Sequence, residues 1–90
     1  MEIVFKTEAL NDLRYWKNSG NKSAQSKIHT LLKEISQTPY TGSGQPEQLK
    51  YELAGYWSRR INKEHRLIYR VSEDQKFVEI HSLWGHYSNK

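Results

Sequence analysis

Ninety residues are enough for one small domain and not for two, and a chain this short buries only a modest core. The absence of cysteine excludes a disulfide scaffold and thiolate zinc sites, and no apolar stretch reaches the roughly 20 residues of a membrane-spanning helix. A net charge of +4 favours acidic partners, whether RNA, DNA or an acidic protein. The start, residues 1–6, does not read as a signal peptide, so a cytoplasmic protein without membrane association is expected.

Residues 2–6 carry Ile3, Val4 and Phe5 and read as a first strand. Thr7 is placed to cap the next helix, with Glu8 in its first turn, where a carboxylate meets the positive end of the helix dipole. Ala9, Leu10, Leu13 and Trp16 recur at helical spacing until Ser19-Gly20-Asn21 ends the run. A second helix is expected over about residues 23–37, with Ala24, Ile28, Leu31, Leu32 and Ile35 as its apolar stripe and Thr38-Pro39 as its stop. Residues 40–48 form a loop around Gly42, Gly44 and Pro46. Strand-like segments follow at 49–53, 56–62, 66–72 and 77–83. This order predicts an α+β fold of one domain, residues 1–90, with two N-terminal helices packed on one face of a small antiparallel sheet and the other face open.

Strand alternation sharpens that picture. Leu67, Tyr69 and Val71 are expected under the helices and Arg66 on the open face, while Trp57, Arg59 and Ile61 oppose Ser58 and Arg60. Residues 57–70 hold five of the fourteen Lys and Arg residues, inside segments that strands usually fill with apolar side chains. A cationic sheet face suits a polyanion, and nucleic acid fits a small basic domain.

Cleaving RNA without a metal needs a base for the ribose 2′-OH, a cation for the charge building on phosphorus, and an acid for the departing 5′-oxygen. Glu47, Arg66 and His86 have the right chemical types. Each also has a plainer reading. A loop Glu is usually solvated surface; His86 lies near the chain end; and Arg59, Arg60 and Arg66 can form cross-strand pairs with Glu52, Glu64 or Glu79. Trp16 and Trp57 read as core, His65 as a turn residue satisfying backbone groups, His81 as solvent-facing on an edge strand, and Trp84 as a possible base-stacking ring.

Four blocks in order carry a resemblance. Residues 39–50, Pro-Tyr-Thr-Gly-Ser-Gly-Gln-Pro-Glu-Gln-Leu-Lys, resemble the loop of YoeB-type toxins, a branch of the RelE superfamily. Residues 53–61, Leu-Ala-Gly-Tyr-Trp-Ser-Arg-Arg-Ile, residues 64–71, Glu-His-Arg-Leu-Ile-Tyr-Arg-Val, and the pair His86-Tyr87 resemble the family's following blocks. Length and element order match too, so the resemblance covers nearly the whole chain.

The resemblance implies a microbial-RNase-like, RelE-type fold and a toxin of a type II toxin–antitoxin pair that enters the ribosomal A site and cuts mRNA there. It implies Glu47 as general base, Arg66 as the transition-state cation, His86 as general acid and Tyr87 as the aromatic beside it. Lys50 and Arg60, with Arg59 and Trp84, are the implied RNA contacts, and the route calls for no metal or cofactor. Implied partners are an acidic antitoxin, the ribosome and mRNA, a homodimer as a further option, and DNA only indirectly through the antitoxin complex. Two features depart from the family pattern. Trp84 stands where relatives often carry Lys or Arg, and Ser88-Asn89-Lys90 extend past Tyr87. The rival readings are a non-catalytic ribosome- or RNA-binding module and an interaction domain for an acidic protein.

Overall fold

The apolar stripe of the second helix decides the layering. In the computed structural model, which describes residues 1–86, α1 (Thr7–Asn18) and α2 (Lys22–Gln37) lie against one face of a five-stranded sheet. Ala24, Ile28, Leu31 and Ile35 follow one another at helical spacing and join Ala9 and Trp16 of α1 in the core. The sheet answers with Leu67, Tyr69, Val78 and Ile80, and Val71 packs at the margin of this cluster. Asn21 caps α2 by accepting the Ala24 N–H at 3.0 Å. Thr7 does not cap α1; it is already the first helical residue, and Lys6 before it makes no side-chain cap bond.

The strands are β1 (Glu2–Phe5), β2 (Glu47–Gln48), β3 (Trp57–Arg60), β4 (Arg66–Val71) and β5 (Phe77–Ser82), in spatial order β1-β5-β4-β3-β2. The three pairings from β2 to β5 are antiparallel, as expected, but β1 pairs with β5 in parallel, so the sheet is mixed. The two helices carry the chain from β1 to the far edge, and the meander returns to β1 running in its direction. That long crossover is what a parallel pair requires.

Two local expectations also change. Residues 49–53 do not form a strand: Tyr51 sits at φ 58°, and Tyr51–Leu53 close a 3-10 turn after the short strand β2. His81 is not on an edge strand, because β5 lies between β1 and β4. The register jumps there, with Ile68 opposite Ser82 and Tyr69 opposite Ile80, so His81 is the extra residue of a bulge.

The face away from the helices is only partly open. Ile68 and Ser82 lie there and are buried, at 0% and 1% exposure. At the far end of that face Glu79 pairs with Lys6 at 3.3 Å and with Arg70 at 3.1 Å. No helix among the described residues is long and apolar enough to cross a membrane.

Candidate active site

Cross-strand register assembles the outer face. Residues directly opposite one another in a ladder share a face, as do residues two apart along a strand. Glu47 stands opposite Ser58, Ser58 opposite Ile68, Ile68 opposite Ser82, and Arg60 opposite Arg66. One row therefore runs Glu47, Ser58, Ile68, Ser82 across four strands, with Arg60 and Arg66 in the next row. The Ser82 hydroxyl in that row is buried and has no hydrogen-bond partner among the described residues.

Arg66 is held firmly. It is 8% exposed, and its Nη1 donates to the carbonyls of Asn62 (2.8 Å), His65 (3.2 Å) and Lys63 (3.3 Å) in the β3–β4 turn. Burial lowers the pKa of this guanidinium, Arg60 adds in the same direction, and Glu47 opposes both. That coupling places Glu47 within electrostatic reach of Arg66. Arg60 and Lys50 are exposed on the surface.

Arg59 does not lie on this face. Alternation turns it toward the helices, where it is completely buried. Its Nε donates to the Tyr69 hydroxyl at 3.1 Å, its Nη1 to Glu34 Oε1 at 3.1 Å and to the Ser43 carbonyl at 3.3 Å, and its Nη2 to the carbonyls of Thr38 (2.8 Å) and Thr41 (2.9 Å). The expectation of an RNA contact at Arg59 is corrected: every bond of this side chain is spent inside the protein. Tyr69 in turn donates to the Pro39 carbonyl at 2.6 Å, and burial pushes its hydroxyl above the ordinary phenol range, keeping it a donor. Glu34 accepts the Ser43 N–H and hydroxyl at 2.8 and 2.7 Å.

This network pins residues 38–43, and the next residues deliver Glu47. Gly44 accepts the Arg60 N–H at 2.7 Å with φ 81°, and a Cβ there would come within 2.9 Å of a Leu31 methyl and 3.1 Å of the Arg60 carbonyl oxygen. Only glycine fits that close approach. Glu34 is thus a site-building residue that sequence reasoning missed, and Tyr69, expected under the helices, was not expected to tie this loop; a helical Glu and a strand Tyr carry no local sign of a partner so distant in the chain.

The C-terminal segment is pinned from the helix side as well. Leu83 donates its N–H to Asp12 Oδ2 at 2.9 Å and accepts Trp16 Nε1–H at 2.7 Å. Gly85 accepts the Arg66 N–H at 2.8 Å and donates to His65 Nδ1 at 3.0 Å. His86 follows Gly85 directly and is exposed. Trp84, 44% exposed, stacks on His65 with ring centres 4.0 Å apart and touches Tyr15 and Trp16 of α1 at 4.6 and 5.6 Å. It belongs to the α1 side and not to the face of Arg60 and Arg66. Tyr87 lies outside the described residues.

Among the described residues no cluster of three or more His, Asp or Glu side chains could hold a metal ion. An apolar cleft of ≈ 280 Å³ between α1 and α2, lined by Leu13, Trp16, Ile28 and Leu32, lies on the helix side and is separate from these groups.

Comparison with known families meets this geometry. Residues 5–87 match the model of the YoeB-like toxin of bacterial type II toxin–antitoxin systems. The chain belongs to the YoeB-like toxin family. It is 41% identical over 78 residues to Toxin YoeB of Escherichia coli strain K12, covering 87% of this chain and 92% of that one. Two solved structures from Staphylococcus aureus are similar over 97% of this chain and 98% of theirs: a YoeB–YefM complex at 42% identity and TM-score 0.82, and a YoeB dimer at 41% identity and TM-score 0.84. The fold of this YoeB-like chain thus carries Glu47, Arg60 and Arg66 on one face of the sheet, with Arg59 locked on the other.

Proposed function

We propose that this toxin is an endoribonuclease that cuts mRNA in the ribosomal A site by attack of the ribose 2′-OH. The observation that supports it is the shared face: Glu47, Arg60 and Arg66 stand in adjacent rows, with Glu47 coupled to Arg66. The Glu47 carboxylate takes the 2′-OH proton, and the 2′-oxygen forms its bond to phosphorus. Arg66, fixed by three carbonyls, stabilises the added charge on the phosphoryl oxygens. As the bond from phosphorus to the 5′-oxygen breaks, His86 donates a proton to that oxygen. The products are a 2′,3′-cyclic phosphate and a 5′-OH. Acid and base catalysis contribute roughly 10²–10⁴-fold each. Lys50 and Arg60 hold flanking phosphates, Tyr87 supplies the aromatic beside the acid, and no metal takes part.

The partners follow from the same surface. A basic chain that works on ribosomes acts in the cytoplasm and needs a neutralising acidic protein. The Staphylococcus aureus complex with YefM supports an antitoxin that folds an acidic segment over the cationic face or the neighbouring helices, and the dimer from the same organism supports self-association. DNA is met only through the antitoxin complex.

Toe-printing of an mRNA in a purified translation system tests the reading. The wild-type chain should produce a cut in the A-site codon, and a Glu47→Ala/His86→Ala double variant should not. Inhibition without a cut, or a cut undiminished in the double variant, overturns the mechanism and leaves occupancy of the ribosome as the activity.

A further inference from the structure

We infer that His65, in its neutral form, is a positioning residue that sets His86 beside Arg66. The inference rests on the nuclease reading above. His65 Nδ1 accepts the Gly85 N–H at 3.0 Å, so that nitrogen carries no proton and the ring is the Nε2–H tautomer. The neighbouring Arg66 N–H donates to the Gly85 carbonyl at 2.8 Å. Both polar groups of Gly85 are thus bound to two consecutive residues at the start of β4. Gly85 holds φ 90°, and a Cβ there would meet nothing within 4 Å, so backbone freedom and not space is what the position requires.

The ring of His65 is itself fixed. Trp16 meets it edge-on at 5.2 Å and Trp84 covers it at 4.0 Å. Trp16 and Asp12 hold Leu83 two residues earlier. Residues 83–85 are therefore anchored at both ends by side chains of α1 and by His65, groups that take no proton in the proposed reaction. His86 is the first residue beyond the last anchor. An acid on an exposed residue outside the sheet needs such a mooring, because a displacement of about 1 Å from the reacting oxygen costs on the order of 10²-fold in rate.

The test compares His65→Leu with His65→Asn in the full chain. Asn places an acceptor oxygen where Nδ1 stands, and Leu has the same branched shape with no acceptor. Single-turnover cleavage of ribosome-bound mRNA should fall roughly 10²-fold in His65→Leu with KM little changed, and His65→Asn should recover most of it. Amide exchange at Gly85 should be protected in the wild type and in His65→Asn but fast in His65→Leu, with the Leu67 amide slow in all three as the control for folding. The ring-nitrogen shifts of wild-type His65 should report an unprotonated Nδ1. Equal rates in His65→Leu and wild type, a Gly85 amide that exchanges freely in the wild type, or an Asn variant as slow as Leu overturns the positioning role. A wild-type chain that makes no cut overturns the nuclease reading and the catalytic part of this inference with it; Gly85 exchange then still decides whether His65 holds the segment.

Discussion

Replacing Arg59 should unfold the protein far more readily than replacing any exposed cation. An Arg59→Met variant keeps the unbranched apolar stem of the side chain and removes five hydrogen bonds, to Glu34, Tyr69 and the carbonyls of Thr38, Thr41 and Ser43. Removing one member of a buried ion pair costs about 3–5 kcal/mol. The lower end applies here. The Glu34 side chain is 32% exposed and keeps its two bonds from Ser43, and the carbonyls of the exposed residues Thr38 and Thr41 can rehydrate. A loss of about 3 kcal/mol is a large share of the roughly 5–13 kcal/mol expected for a domain of this size. With a urea dependence of about 1–3 kcal/mol per molar, the midpoint should fall by on the order of 1–3 M. Tryptophan fluorescence reads the transition, since Trp16 is in the core and Trp57 packs against it. Arg59→Lys should lie between the two, because a single ammonium cannot span Glu34 and two carbonyls as the guanidinium fork does. A loss below about 1 kcal/mol for Arg59→Met, the value of an exposed pair, would refute the account of Arg59 as the tie of this loop.

Two further outcomes follow. The Ser43 N–H, the Ser43 hydroxyl and then Arg59 hold the Glu34 carboxyl below its ordinary value of 4.5. Its folded pKa is thus lower than its unfolded one, so its stabilisation is complete above about pH 4.5 and is lost as pH falls through the lowered folded value. In urea titrations at stepped pH, Glu34→Gln should be less stable than wild type at neutral pH and should lose less on acidification; parallel losses would remove Glu34 from the acid response. Arg60→Ala should weaken ribosome binding and reduce the slope of log affinity against log salt by about 0.7–1, at a stability cost within about 0.5 kcal/mol. An unchanged salt slope would mean that Arg60 meets no phosphate.

The helices were legible because burial imposes a period: residues 24, 28, 31 and 35 mark the buried side of α2, and the structure buries all four. Alternation likewise placed Leu67 and Tyr69 under the helices and separated Arg59 from Arg60. What it could not supply was the counter-charge. Glu34 lies 25 residues from Arg59, on a helix whose polar positions all look alike, so the buried arginine read as one more cation of the basic stretch. The parallel pairing of β1 was hidden for a similar reason, since β1 carries the same residue types beside either edge. Strand β2 spans two residues, too short for any period to register. Glu47, Arg66 and His86 stood out by family resemblance; by chemical type alone each was also an ordinary surface residue.

The outer face owes its arrangement to anchors on the opposite one. Glu47 is delivered by a loop whose ties, Arg59, Glu34 and Tyr69, lie on the helix side, and His86 by a segment whose ties, Asp12, Trp16 and His65, lie there too. Only Arg66 is set by its own strand and turn. The sheet surface thus brings Glu47 of the second strand and Arg66 of the fourth to one face by register, with the segments that deliver Glu47 and His86 tied from behind. The same ties join the helix layer to both segments. Asp12 and Trp16 tie α1 to Leu83 just before His86, and Glu34 ties α2 to Arg59 and to Ser43 in the loop that leads to Glu47.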